Sequence, residues 1–236
     1  MRNVWTLAGR EFRSYFNGVV AYIILAIVLL ALGLLFWDNF FLQRAATARM
    51  MFERLSMLLV FATPAMTMGL LAEEKRTGTF ELLITMPVRE SEVILGKFFG
   101  VVGLLVVLLA LTITYPLTIA SLGNHDWGPV WSGYLGLFLE GATMLGIGLM
   151  ASSFTDNQIV AFFVALFING VLWLLGFFLP VLPLAAASYL EWFSFGYHFD
   201  SLARGVIDPR DLIFFVSVTA LCLAVAFRSV ERRRWS

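Results

Sequence analysis

The sequence predicts an all-α membrane protein: six transmembrane helices, an N-terminal amphipathic surface helix and a re-entrant or interfacial segment before the last span. Three observations carry this. Of 236 residues, 60% are hydrophobic and only 14% charged, with 23 phenylalanines and a mean hydropathy of +0.87. A water-soluble domain of that composition would expose too much apolar surface. The apolar residues also fall in runs of spanning length, separated by short charged or Pro/Gly-containing stretches. Finally, Lys and Arg are distributed unevenly between alternate connections. The chain reads as one transmembrane domain, 1–236.

The lead, 1–18, places Val4, Trp5, Leu7, Ala8, Phe12, Tyr15 and Phe16 among Arg10, Glu11 and Arg13. That pattern predicts a helix lying on the inner membrane surface, with Gly18 as the bend into the first span. The alternative is a basic flank that only sets orientation. The first apolar run, 19–37, holds 19 uncharged residues. As a helix it would extend roughly 28 Å at about 1.5 Å per residue, close to the hydrocarbon thickness. No small-residue cleavage pattern follows it, so it is expected to stay as a span.

Further spans are expected over Leu55–Leu71, Phe98–Leu122, Val130–Phe154, Ile159–Leu179 and Leu212–Phe227. Residues 159–190 carry no charge, which is too long for one helix and too short for two. Pro180 and Pro183 break that run, leaving 184–199 as the re-entrant or interfacial segment, its Tyr, Trp and Phe suited to headgroup depth. With the N-terminus inside, Arg44, Arg49, Arg54, Arg204 and Arg210 are the only outer members of the 16 Lys and Arg. The positive-inside rule then places both termini in the cytoplasm.

Zero formal net charge gives no field to attract nucleic acid, and none is expected as a partner. Cys222 is the single cysteine, so no internal disulfide forms; it reads as a small buried hydrophobe. His125 and His198, with Asp126 and Asp200 nearby, stand in separate loops and make weak metal ligands; no metal site is expected. Ser194 near His198 lacks the marks of an activated nucleophile, and no catalytic residue is expected. Glu140 is the one acid well inside a span. A charge at mid-helix costs about 2.5–3.5 kcal/mol, so it needs a partner or water. It lines a dimer interface or substrate path, or it sits near outer headgroups if its span begins later. Asn169 suits interhelical hydrogen bonding, and Gly141, Gly146 and Gly148 suit close helix packing.

The densest charge lies in the cytoplasmic loop 73–98. Gly78 and Pro87 bracket a short apolar-and-charged helix, and residues 90–98 form a second helix entering the third span, acids first and Lys97 later. By itself this is either a solvated hairpin or an element for docking onto another protein.

The stretch resembles the first cytoplasmic loop of ABC-2 type transporter permeases. The matching residues are Glu74, Arg76, Gly78, Thr79, Glu81, Leu82, Leu83, Pro87, Val88, Glu92, Gly96 and Lys97. Arg89 stands where that family more often has Ser or Thr, which removes an expected N-cap. Residues 141–162 are similar to the family's fourth-to-fifth turn. Residues 195–215 most closely resemble the subgroup that includes the gliding-motility-associated permease and the permease linked to nitrous-oxide-reductase maturation. The resemblance implies a bacterial inner-membrane exporter subunit that is not itself an enzyme. A separate ABC ATPase subunit holds ATP and Mg, and this chain holds no cofactor. It implies that Gly78 through Pro87 act as a coupling helix, with Glu73, Glu74, Lys75, Arg76 and Glu81 as polar contacts. A second permease copy or a paralogue completes the membrane unit, with a periplasmic accessory protein as a further partner. The absence of a G-x-x-x-x-G-K-[ST] motif agrees with a motor on another chain. Two other readings stand beside export: a subunit transmitting force to a partner protein, and an intramembrane enzyme built on Glu140 and Asn169.

Overall fold

A computed structural model describes residues 2–43, 48–78, 89–122, 126–181, 183 and 188–233. No strand occurs among them. The helices are α1 (Arg2–Asn17), α2 (Val20–Gln43), α3 (Ala48–Thr67), α4 (Ala72–Arg76), α5 (Glu90–Thr112), α6 (Thr114–Leu122), α7 (Trp127–Phe154), α8 (Gln158–Phe178), α9 (Phe195–Ala203) and α10 (Pro209–Arg233). Five helical stretches are long and apolar enough to cross a membrane, and the bent pair α1–α2 makes a sixth candidate. The protein is therefore an all-α membrane protein.

Each break has a local cause. Between α1 and α2 the chain turns by 73°, at Gly18 and Val19, where the sequence placed it. Pro116 has no N–H to give Thr112, and the third span is split at Ile113, whose own N–H bonds the Ala110 carbonyl at 3.2 Å. Asp126 caps α7 by accepting from the Gly128 N–H at 2.9 Å, and Asn157 caps α8 by accepting from the Ile159 N–H at 2.9 Å. Ser194 does the same for α9, accepting from the Tyr197 N–H at 3.3 Å. In the segment before the last span, residues 184–187 lie outside the described residues. Its helix runs on to Ala203, beyond the expected end at Phe199, because the first residue able to stop it is Gly205 at φ +95°.

α7 is the central helix, 72% buried over its most apolar window. Its small residues set the spacing. A Cβ at Gly141 would lie 2.8 Å from Leu105, and one at Gly148 would collide with Thr67 Oγ1. Gly146 differs from the sequence expectation: an added Cβ there would meet Thr219 at an ordinary 3.6 Å. By contrast, the corresponding windows of α8 and α10 are only 17% and 22% buried, so both turn most of their apolar surface away from the bundle.

α1 packs along the start of α5. A Cβ at Gly96 would stand 2.6 Å from the Leu7 Cβ, and one at Gly100 2.6 Å from the Glu11 Cβ. The glycines form a flat strip on α5, and the apolar face of α1 occupies it. The Tyr15 hydroxyl then donates to the Met66 carbonyl at 2.6 Å, tying α1 to the end of α3 as well.

Candidate functional site

The charged loop leaves the bundle through α4, and α4 is held at three points. Its two acids stand in the first turn and its two bases in the last, which matches the helix dipole. Its first turn is capped from another helix. Ser152, on α7, accepts from the Leu71 N–H at 3.1 Å and the Ala72 N–H at 3.0 Å, and donates to the Met68 carbonyl at 3.1 Å. One hydroxyl thereby uses its donor and both acceptors on the corner between α3 and α4. Lys75 Nζ donates to the Ser153 carbonyl, which also accepts from Ser229 Oγ of α10 at 2.9 Å.

The third tie is an ion triad. Lys97 Nζ lies 2.7 Å from Glu74 Oε1 and 3.2 Å from Glu11 Oε1, with the lysine side chain only 3% exposed. An ammonium is buried only when paired, because its desolvation costs several kcal/mol. Here α5 supplies the cation, α1 and α4 the two anions. A cleft of about 320 Å³ opens beside the triad, bordered by Tyr15, Gly69, Glu73 and Gln158.

The remaining residues divide by surface. Glu73 and Arg76 are outward-facing, with a 3.7 Å contact between them. Gly78 takes φ +71°, the left-handed conformation that ends α4. Thr79, Glu81, Leu82, Leu83 and Pro87 lie outside the described residues. Beyond them, α5 begins despite the missing N-cap at Arg89. Glu92 Oε2 accepts the Arg89 N–H at 3.3 Å, the reciprocal half of a capping box, and also accepts from Asn3 Nδ2 at 3.2 Å. Glu74 and Lys75 thus face the bundle, and Glu73 and Arg76 face out.

Glu140 and Asn169 are both fully buried, and they belong to different clusters. Glu140 sits at mid-helix on α7. Its Oε1 accepts from Ser56 Oγ at 2.8 Å, and Ser56 accepts from Trp173 Nε1 at 3.0 Å. Asn169 Nδ2 donates to Thr63 Oγ1 at 3.3 Å and to the Met144 carbonyl at 3.4 Å. Each residue joins α3, α7 and α8 at its own level. Between α7 and α10, Thr143 and Thr219 hydroxyls meet at 2.9 Å.

From sequence, Lys97 matched the motif and suited the helix dipole, with no ion partner assigned, and Ser152 and Ser153 were passed over. The available signal was the polar pair ending a long apolar helix. His198 is occupied by Asp211, Nδ1 to Oδ1 at 2.7 Å, and by the Trp192 carbonyl at 3.3 Å, not by Asp200; His125 lies outside the described residues. Among the described residues no group of three or more His, Cys, Asp and Glu is placed to hold a metal ion.

A family model described as ABC-2 family transporter protein matches residues 45–228, most of the chain. The match begins after α2 and takes in α4 and the triad's Glu74 and Lys97. No curated protein matches the chain significantly.

Proposed function

The chain belongs to the ABC-2 family of transporter proteins, and from that premise we propose that it is the permease subunit of an ATP-driven exporter, worked through the base of its charged loop by a separate ATPase subunit. Membership makes it a membrane component of an ABC transporter, with an ABC ATPase as its partner. Coupling, direction and orientation are the proposal. The single observation carrying it is the buried triad of Lys97, Glu74 and Glu11. A solvated hairpin has no need of a buried ammonium at its root. A loop that transmits displacement does, because force applied to it must reach the spans without being lost in side-chain slack.

In this reading the ATPase grips residues 78–87 and touches Glu73, Arg76 and Glu81. Movement of the loop displaces α4. Lys97 carries that movement into α5 and, through Glu11, into α1. Ser152 and the Lys75–Ser153 contact carry it into α7 and α10. ATP and Mg stay on the partner. Both termini lie in the cytoplasm, and the membrane is a bacterial inner membrane. A second copy or a paralogue packs alongside, with the sparsely buried face of α8 available for it. A periplasmic partner binds at the opposite end.

The test is ATP hydrolysis and ATP-dependent conformational change in the assembled complex. Lys97→Met is expected to cut permease-dependent stimulation of the ATPase by tenfold or more, while Lys97→Arg keeps most of it. Reversal at Arg76→Glu with Glu81→Lys is expected to uncouple without affecting insertion. Full coupling in Lys97→Met would refute the role of the triad.

A further inference from the structure

At the end of the bundle away from Lys97, α3, α8, α9 and the turn Glu191–Phe193 enclose a cavity of about 670 Å³. This is within the size range of small-molecule sites. Its wall is aromatic, with Trp173, Phe177, Tyr197 and Phe199. Its charges fall into two groups. Glu53 and Asp200 are neutralised at the rim: Arg49 reaches Glu53 at 3.0 Å and Asp200 at 2.6 Å, and Arg204 takes the other Asp200 oxygen at 2.6 Å. Arg54 and Glu191 also line the cavity, and neither has an ion partner within 4.0 Å among the described residues. One cation and one anion therefore share a half-enclosed aromatic space without pairing to each other.

We propose that this cavity binds an amphipathic zwitterion. Its ammonium group meets Glu191, its anionic group meets Arg54, and its apolar body lies along Trp173 and Phe177. A simple anion or a simple cation would answer one charge and leave the other facing it unpaired. A zwitterion answers both and brings in no net charge. The aromatic wall adds attraction for the ammonium, since ring faces hold cations within about 6 Å. The floor contributes shape more than charge: the Ser56 hydroxyl is already committed to Trp173 and to Glu140. The same chemistry comes from two sources, the headgroup of an aminophospholipid or a soluble apolar zwitterion such as a short peptide. The inference rests on neither the ATPase partner nor the direction of transport.

The experiment is native mass spectrometry of the full chain in mild detergent, titrated with dodecylphosphoethanolamine and, separately, with dodecylphosphoglycerol, which lacks the ammonium. Saturable binding of the first is expected, with the second weaker by about tenfold, the scale of one lost charge-assisted hydrogen bond. Glu191→Gln and Arg54→Gln should each weaken the phosphoethanolamine probe by a similar factor. Arg210→Gln, an equal charge change outside the cavity, should not. The headgroup comparison needs no substitution, so it stands even if a variant misfolds. Displacement of the probe by leucyl-leucine would assign a soluble ligand, and failure to displace it would assign the lipid. Equal occupancy by both headgroups, binding indifferent to Glu191 and Arg54, or no binding of either probe or of leucyl-leucine would overturn the proposal. Loss of ATPase coupling would not bear on it.

Discussion

At the scale of single residues, Lys97 and Ser152 carry more than their sequence context suggests. Lys97→Met removes the buried cation that Glu11 and Glu74 share, and the Arg10 guanidinium, 3.5 Å from Glu11, is itself largely exposed and a weak replacement. Breaking a buried ion pair from one side costs about 3–5 kcal/mol, so thermal unfolding in detergent should show a large loss of stability. The triple variant Lys97→Met, Glu74→Leu, Glu11→Leu should recover much of it, because the penalty lies in the unpaired charge. A triple variant no better than the single one would contradict this. Ser152→Ala strips the Leu71 and Ala72 N–H groups of their acceptor. At about 1–3 kcal/mol per unsatisfied buried group, it should destabilise clearly, and Ser152→Thr should restore part of the loss. An Ala variant as stable as the parent would show that the corner is capped by other means.

At the scale of elements, α1 and α5 act as one unit because Gly96 and Gly100 admit no side chain between them. Gly100→Leu should prise α1 away, exposing the N-terminal helix to limited proteolysis while the spans stay folded. Unchanged protease resistance would show that α1 is held by other contacts. The same packing explains what the sequence did and did not disclose. The apolar face of α1 and the bend at Gly18 were legible, because helical periodicity and a glycine are local signals. The partner of that face was not. Glu11 and Lys97 are 86 positions apart, and Glu74 and Lys97 are 23 apart. In sequence Lys97 shows as a motif residue and a base before an apolar run, with nothing to point to Glu11 or Glu74. The cap on α4 was hidden for the same reason, since its serine comes from α7. Likewise, Ser194 next to His198 suggested chemistry to be weighed, and its place at the start of α9 makes it a cap.

For the whole molecule, the spans were legible because a hydrocarbon core demands about 20 apolar residues in a row. Interior clusters were half legible. Glu140 and Asn169 announced themselves by polarity at membrane depth, yet their partners Ser56, Trp173 and Thr63 are ordinary residues in sequence. The bundle has a charged loop base at one end and an aromatic cavity at the other, joined by α3, α7 and α8. It also leaves α8 with Phe163, Phe167 and Phe177 exposed. Phe167→Cys in the chain with Cys222→Ser should form a disulfide-linked dimer on oxidation if two copies pair through that face. A strictly monomeric product would exclude a homodimer joined there. The proposed coupling has an ATPase grip the loop whose root is the Lys97 triad. Its most direct test places a photo-reactive amino acid at Leu82 in the full chain, irradiates native membranes and identifies the cross-linked product by mass spectrometry. The expected product is a cross-link to an ABC ATPase subunit. Cross-links to lipid or to this chain alone, with no ATPase, would contradict it.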